Sequence, residues 1–127
     1  MDDLIRQWVE RAQYDLDSAE AMFKAGRYLY VLFCCQQAVE KALKAVIVKK
    51  TGELAPRIHN LVRLAEVAEI ESRPEQVRFL GELSAYYFQS RYPEEMRTAG
   101  SAITRELGQR VLSSTEQTIK WVLSTLQ

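Results

Sequence analysis

The sequence predicts an all-α protein, an up-and-down helical bundle of four long helices plus one short helix. Three observations lead there. Apolar side chains recur at steps of three and four residues along four long stretches, the period of a helix with one buried face. No stretch alternates with the two-residue period of a strand. Glycine and proline separate the stretches, and the short links between them favour antiparallel neighbours. The 127 residues contain no repeat, low-complexity tract or linker, so residues 1–127 are expected to form a single domain around one core.

The first helix is expected to start at Asp2 or Asp3, where an acid suits the positive end of the helix dipole. Ile5, Trp8, Ala12, Leu16, Ala19 and Phe23 form its apolar face, with Arg6, Glu10, Arg11, Asp17 and Glu20 mostly outward. Gly26 is a left-handed stop. The second helix runs from about Tyr28 to Thr51, with Leu29, Leu32, Gln36, Val39, Leu43 and Val46 on one face. Lys49 and Lys50 complement its negative end, and Gly52 terminates it. Pro56 breaks the chain before a short helix from about Ile58 to Ala68, with Leu61, Leu64, Ala65 and Ala68 inward. Ser72 and Glu75 have capping-box spacing around Pro74, and the fourth helix runs to about Phe88 with Val77, Leu80, Leu83 or Ser84, and Tyr87 inward. Residues 89–100, punctuated by Pro93 and Gly100, interrupt the helices. The last helix starts near Ser101 to Thr104 and continues to about Leu126, burying Ile103, Leu107, Val111 or Leu112, Thr118 or Ile119, and Val122.

Beside the apolar face of the second helix runs a polar stripe of Gln37, Glu40, Lys41 and Lys44, which either faces water or lines a cleft. Lys41 and Lys44, three residues apart, are able to address one phosphate as point charges, or Lys44 pairs with Glu40 at i,i+4 on a solvated face. Gln36 lies within the apolar face, where a buried amide needs partners and fixes helix register. His59 opens the short helix, either near a ligand or bonded to backbone close by. Arg91 fits phosphate in bidentate geometry and Tyr92 fits stacking on a base; the alternative pairs Arg91 with Glu40 while Tyr92 fills the core.

Lys plus Arg equals 17 and Asp plus Glu equals 17, which argues against broad, charge-driven coating of nucleic acid but not against a local basic patch. No run of eighteen apolar residues exists, so no membrane contact is expected, and the N-terminal stretch lacks a signal-peptide core. Cys34 and Cys35 point about 100° apart on a helix, a poor geometry for a disulfide, and read as small buried hydrophobes of a cytoplasmic protein. No metal-ligand spacing, nucleophile–histidine combination or glycine-rich phosphate loop is present, so no cofactor is expected.

Trp8 with Ala12 and Asp15, the turn Gly26-Arg27-Tyr28, the run from Gln36 to Ala45, His59-Asn60-Leu61 with Leu64, and Arg91-Tyr92-Pro93 together resemble the HEPN domain. The run QQAVEKALKA is the specific part, and the similarity spans nearly the whole chain in order. The resemblance implies a helical bundle that commonly dimerises and associates with nucleotides or RNA. It also implies pairing with a small nucleotidyltransferase, in a toxin–antitoxin-like module. Many members are metal-independent ribonucleases that use an arginine followed after four to six residues by a histidine. This chain departs from that pattern: its single histidine, His59, has Gly52, Glu53 and Leu54 at those positions, and Arg57 lies two residues away. None of its six tyrosines lies six residues after an arginine, the spacing of a nucleotidyl acceptor in other members.

The expected function is therefore nucleotide- or RNA-associated, with Gln37, Glu40, Lys41, Lys44, His59 and Arg91 converging in a polar cleft between the second helix and the loop after the fourth, and with Tyr92 also a binding residue. The alternatives are a non-catalytic dimeric adaptor, and a metal-independent ribonuclease with a non-standard site in which His59 and Arg91 act as acid–base group and phosphate stabiliser. A homodimer is expected because Tyr86, Tyr87, Phe88, Trp121 and Val122 offer more large apolar surface than a small bundle hides.

Overall fold

The structure, a computed structural model, describes residues 2–89, 92 and 103–127. Among these the chain forms five helices and no strand: α1 Asp2–Lys24, α2 Tyr28–Thr51, α3 Leu61–Val67, α4 Pro74–Gln89 and α5 Arg105–Ser124. They pack on one another as a bundle with α2 at the centre, touching α1, α3, α4 and α5.

That central position explains the burial of α2. From Ala42 to Val48 every residue is buried, so this half of the helix has no solvent face. Leu32, Val39, Leu43 and Val46 are all in the core, as their spacing predicts. The same encasement buries two members of the polar stripe, Glu40 at 5% exposure and Lys44 at 6%. They lie in the bundle rather than on a water-facing side.

The bounds of α1 and α2 agree with the sequence reading, and both glycine stops are left-handed, Gly26 at φ 76° and Gly52 at φ 68°. On α1, Ala12, Leu16 and Ala19 are buried, while Trp8 is only half-buried. Three local expectations are corrected. The short helix starts at Leu61, because Asn60 caps it by accepting the Arg63 N–H at 3.0 Å; His59 therefore precedes the helix. Ser72 does not cap α4. Its hydroxyl donates to the Ile70 carbonyl, and Gln76 Oε1 accepts the Arg73 N–H at 2.8 Å, one residue later than the sequence spacing suggests. Val77 is 39% exposed, leaving Leu80 and Leu83 as the buried face of α4.

α5 is capped by Thr104, which accepts the Leu107 N–H at 3.1 Å. Val111, Leu112, Ile119 and Val122 are buried, as is Thr115. Val122 thus belongs to the core and is not part of any surplus surface, whereas Phe88 is 55% exposed. The break at residues 90–102 and Arg91 lie outside the described residues, Tyr92 excepted. None of the described helices is long and apolar enough to cross a membrane.

Candidate functional site

Helix periodicity stacks Gln36, Glu40 and Lys44 one turn apart on a single line of α2. The extended segment before α3 brings His59 against that line. Glu40 is the hub. It accepts from Gln36 Nε2 at 3.0 Å and from Lys44 Nζ at 3.1 Å, and His59 Nδ1 lies 3.2 Å from each of its oxygens. Gln36 Nε2 also donates to the His59 carbonyl at 3.1 Å, fixing the loop, and Gln36 Oε1 accepts from Gln37 Nε2 at 2.7 Å. A buried carboxylate with three donors is well satisfied for its depth.

The polar contacts set the chemistry of the imidazole. A carboxylate accepts and does not donate, so Nδ1 carries the hydrogen. In the neutral ring Nε2 is then the acceptor, the arrangement by which a carboxylate fixes a histidine tautomer. The His59 side chain is 45% exposed, so the ring lies at the boundary between the buried cluster and solvent. Its face stacks on Tyr87 of α4, centroids 4.4 Å apart and planes 12° apart. Ser84, one turn earlier on α4, accepts the Leu61 N–H at 2.7 Å and ties the start of α3 to the same helix.

Of the seven binding candidates, Glu40, Lys44 and His59 meet directly, and Gln37 joins through Gln36. Lys41 is engaged elsewhere, in an ion pair with Asp15 of α1. Arg91 lies outside the described residues. Tyr92 is 46% exposed and, among the described residues, reaches the cluster through Phe88 and Tyr87. The i,i+4 pairing of Glu40 with Lys44 does occur, but at a buried site rather than on a solvated face.

Two further participants come from α1, Trp8 and Asp15. Trp8, read as core, lies under Lys44, whose Nζ is 5.7 Å from the ring centroid in a cation–π contact. Asp15 borders the stripe of Ala12 and Leu16 on α1, and that adjacency was the available signal that it faces α2 rather than water.

The two cysteines are free, and neither is a ready nucleophile. Burial pushes the Cys35 thiol up to about 12, although the Thr115 hydroxyl acts in the opposite direction. Cys34 is raised too, by burial and then by Asp15. Among the described residues no cluster of histidine, cysteine and carboxylate side chains is arranged to hold a metal ion.

The family profile of the HEPN domain matches residues 5–125. The chain belongs to the HEPN family. Solved structures agree at the level of the fold. The crystal structure of TT1696 from Thermus thermophilus is similar with a TM-score of 0.81 and 24% identity, over 94% of this chain and 96% of that one. ST0689, described as an archaeal HEPN homologue, is similar with a TM-score of 0.73 and 20% identity, over 97% of this chain and 98% of that one. No curated protein matches the sequence. In this HEPN chain the conspicuous polar feature is the Glu40 cluster, built on the most specific part of its sequence resemblance.

Proposed function

We propose that this HEPN protein binds a nucleotide or RNA at the His59 end of the Glu40 cluster and acts with a small nucleotidyltransferase in a cytoplasmic toxin–antitoxin-like module. The observation that carries the binding reading is the half-exposed imidazole held by a buried carboxylate. The His59 side chain is 45% exposed and Tyr92 46% exposed, and the buried Glu40–Lys44 pair acts on the ligand only by positioning His59. Arg91, next to Tyr92 in sequence, is the cation assigned to the phosphate. The working form is a homodimer, consistent with the exposure of Phe88 and Tyr92.

The test is calorimetric titration of ATP and of a single-stranded RNA oligomer into the wild-type chain and His59→Ala. Binding by the wild type, weakened about tenfold or more in the variant, supports the site. Absence of heat for every ligand refutes it. A second reading, a non-catalytic dimeric adaptor, is favoured by one feature: Lys41 and Lys44 already have carboxylate partners in Asp15 and Glu40. That reading gains if no ligand binds while light scattering gives a dimer; a monomer at micromolar concentration removes the dimer from both.

A further inference from the structure

One buried amide holds His59 at two points. Gln36 has 0% exposure. Its Nε2 carries two hydrogens and meets two acceptors, Glu40 Oε1 at 3.0 Å and the His59 carbonyl at 3.1 Å. A carboxylate and a carbonyl only accept, so the amide has one workable orientation, nitrogen toward them and oxygen away. Gln37 occupies the oxygen side, donating from Nε2 to Gln36 Oε1 at 2.7 Å. The Glu40 oxygen that takes the Gln36 bond also lies 3.2 Å from His59 Nδ1. Gln36 is therefore bonded both to the backbone of His59 and to the carboxylate that meets its ring.

The other contacts of His59 do not set which nitrogen faces Glu40. Stacking on Tyr87 fixes the plane of the imidazole, but half a turn about Cβ–Cγ leaves that plane unchanged and exchanges Nδ1 for a carbon. The bonds of the next two residues, Asn60 Oδ1 from the Arg63 N–H and the Leu61 N–H to Ser84 Oγ, fix the chain and not the ring. Lys44 secures Glu40 Oε2 at 3.1 Å and has no bond to His59. Gln36 alone, among the described residues, bonds to both Glu40 and the His59 backbone. Resting on the binding site proposed above, we propose that Gln36 is the positioning residue of that site. It sets the His59 backbone and the Glu40 carboxylate in one register, which keeps the neutral imidazole in a single orientation with the hydrogen on Nδ1 and the ring's Nε2 left as the acceptor. Gln37 then supports Gln36 and does not touch the ligand.

The experiment observes the imidazole directly, and the chain has one histidine, so its signals are unambiguous. Two-bond proton–nitrogen NMR spectra of the isotope-labelled full chain are recorded at rising pH until the ring signals stop moving, which isolates the neutral form. Wild type, Gln36→Met and Gln37→Leu are compared, and each is titrated with ATP and with a single-stranded RNA oligomer. In the wild type the hydrogen is expected on Nδ1, with a coupling through the hydrogen bond between the Gln36 side-chain nitrogen and the His59 carbonyl carbon. Gln36→Met is expected to give a mixture of tautomers and to bind the wild-type ligand about tenfold more weakly. Gln37→Leu is expected to keep the tautomer and most of the affinity. A hydrogen on Nε2 in the wild type, or no coupling to the His59 carbonyl, overturns the proposal without any variant, so it stays decidable if Gln36→Met does not fold. A wild-type tautomer in folded Gln36→Met overturns it too, because Glu40 then suffices. Loss of binding in Gln37→Leu with the tautomer kept would place Gln37 on the ligand and overturn its supporting role. If the spectra agree and neither ligand binds, Gln36 still positions His59 and the ligand reading is what fails.

Discussion

Glu40 carries more of the site than any other side chain. Its two oxygens serve Gln36, Lys44 and His59 at a position with 5% exposure. Replacing it by glutamine keeps the size but leaves the Lys44 ammonium buried without a counter-charge. Breaking one side of a buried pair costs about 3–5 kcal/mol, whereas replacing both partners with apolar groups of similar volume is often close to neutral. Glu40→Gln is therefore expected to lower the urea midpoint strongly, and Glu40→Leu combined with Lys44→Met to recover most of the loss. Equal damage in the single and double variants would show that the polar bonds to Gln36 and His59, not the charge pairing, hold this region. The residue types of the cluster were legible in the sequence: the i,i+4 spacing of Glu40 and Lys44 and the isolated Gln36 on an apolar face both pointed to pairing. Depth was not legible. A stripe of four polar residues reads as solvated until four other helices are known to surround it, and that is a property of the tertiary packing rather than of α2.

Helix ends and helix interiors respond to different physics, and α4 shows both. Its start is set by Pro74, whose missing N–H is harmless in the first turn, and by Gln76, whose amide oxygen returns to the Arg73 N–H. The sequence offered two acid or amide partners one residue apart, Glu75 and Gln76, and spacing to Ser72 selected the wrong one. Boundaries of this kind depend on a single dihedral choice, so periodicity fixes them less well than it fixes buried faces. The α3 start, expected near Ile58, falls at Leu61 for the same reason, because Asn60 takes the cap. In the interior of α4, Gly81 is exposed, and a methyl group there would meet only Val62 Cγ2 at 4.0 Å. Glycine costs a helix interior about 0.8–1.0 kcal/mol relative to alanine. Gly81→Ala is expected to stabilise the protein by about that amount in thermal denaturation. Gly108 on α5 is the contrasting case, because a methyl group would stand 3.3 Å from Tyr28 Cδ1 and 3.6 Å from Phe23 Cδ1. Gly108→Leu is expected to destabilise, by overpacking of about 1–3 kcal/mol, so the two glycines should move the midpoint in opposite directions.

At the scale of the whole molecule, the bundle is tied across its helices by polar bonds as well as by the core, and these set both its pH response and its chemistry. Arg110 of α5 donates to Glu82 of α4, with one bond at 3.1 Å, and the Tyr86 hydroxyl donates to the same carboxylate at 2.7 Å. The guanidinium holds the Glu82 carboxyl below its ordinary value of 4.5. A depressed carboxylate contributes stability that is fully present above its unfolded pKa and is lost as pH falls through the folded one. The contribution is small, about 0.2–1 kcal/mol for a partly exposed pair. Arg110→Gln is thus expected to destabilise slightly at pH 7, with the difference from wild type shrinking below about pH 4.5. Catalysis is the larger question at this scale, because the described residues bring together only part of what metal-free RNA cleavage needs. The reaction requires a group to take the 2′-hydroxyl proton, a proton for the leaving 5′-oxygen, and a cation on the developing phosphate charge. Glu40 holds His59 through Nδ1, which leaves Nε2 as one proton-transfer group. The cation that shares Glu40 with it, Lys44, is 6% exposed and already paired. A single chain is therefore expected to show weak or no ribonuclease activity toward single-stranded RNA and transfer RNA in EDTA at near-neutral pH, even where it binds them. Two copies of His59 facing one cleft would supply the missing group, so the assay is best run across a concentration series. Robust cleavage that His59→Ala and Arg91→Ala both abolish, with the fold intact by circular dichroism, would overturn the expectation. Cleavage that rises as the square of protein concentration would place the second proton-transfer group on a partner copy.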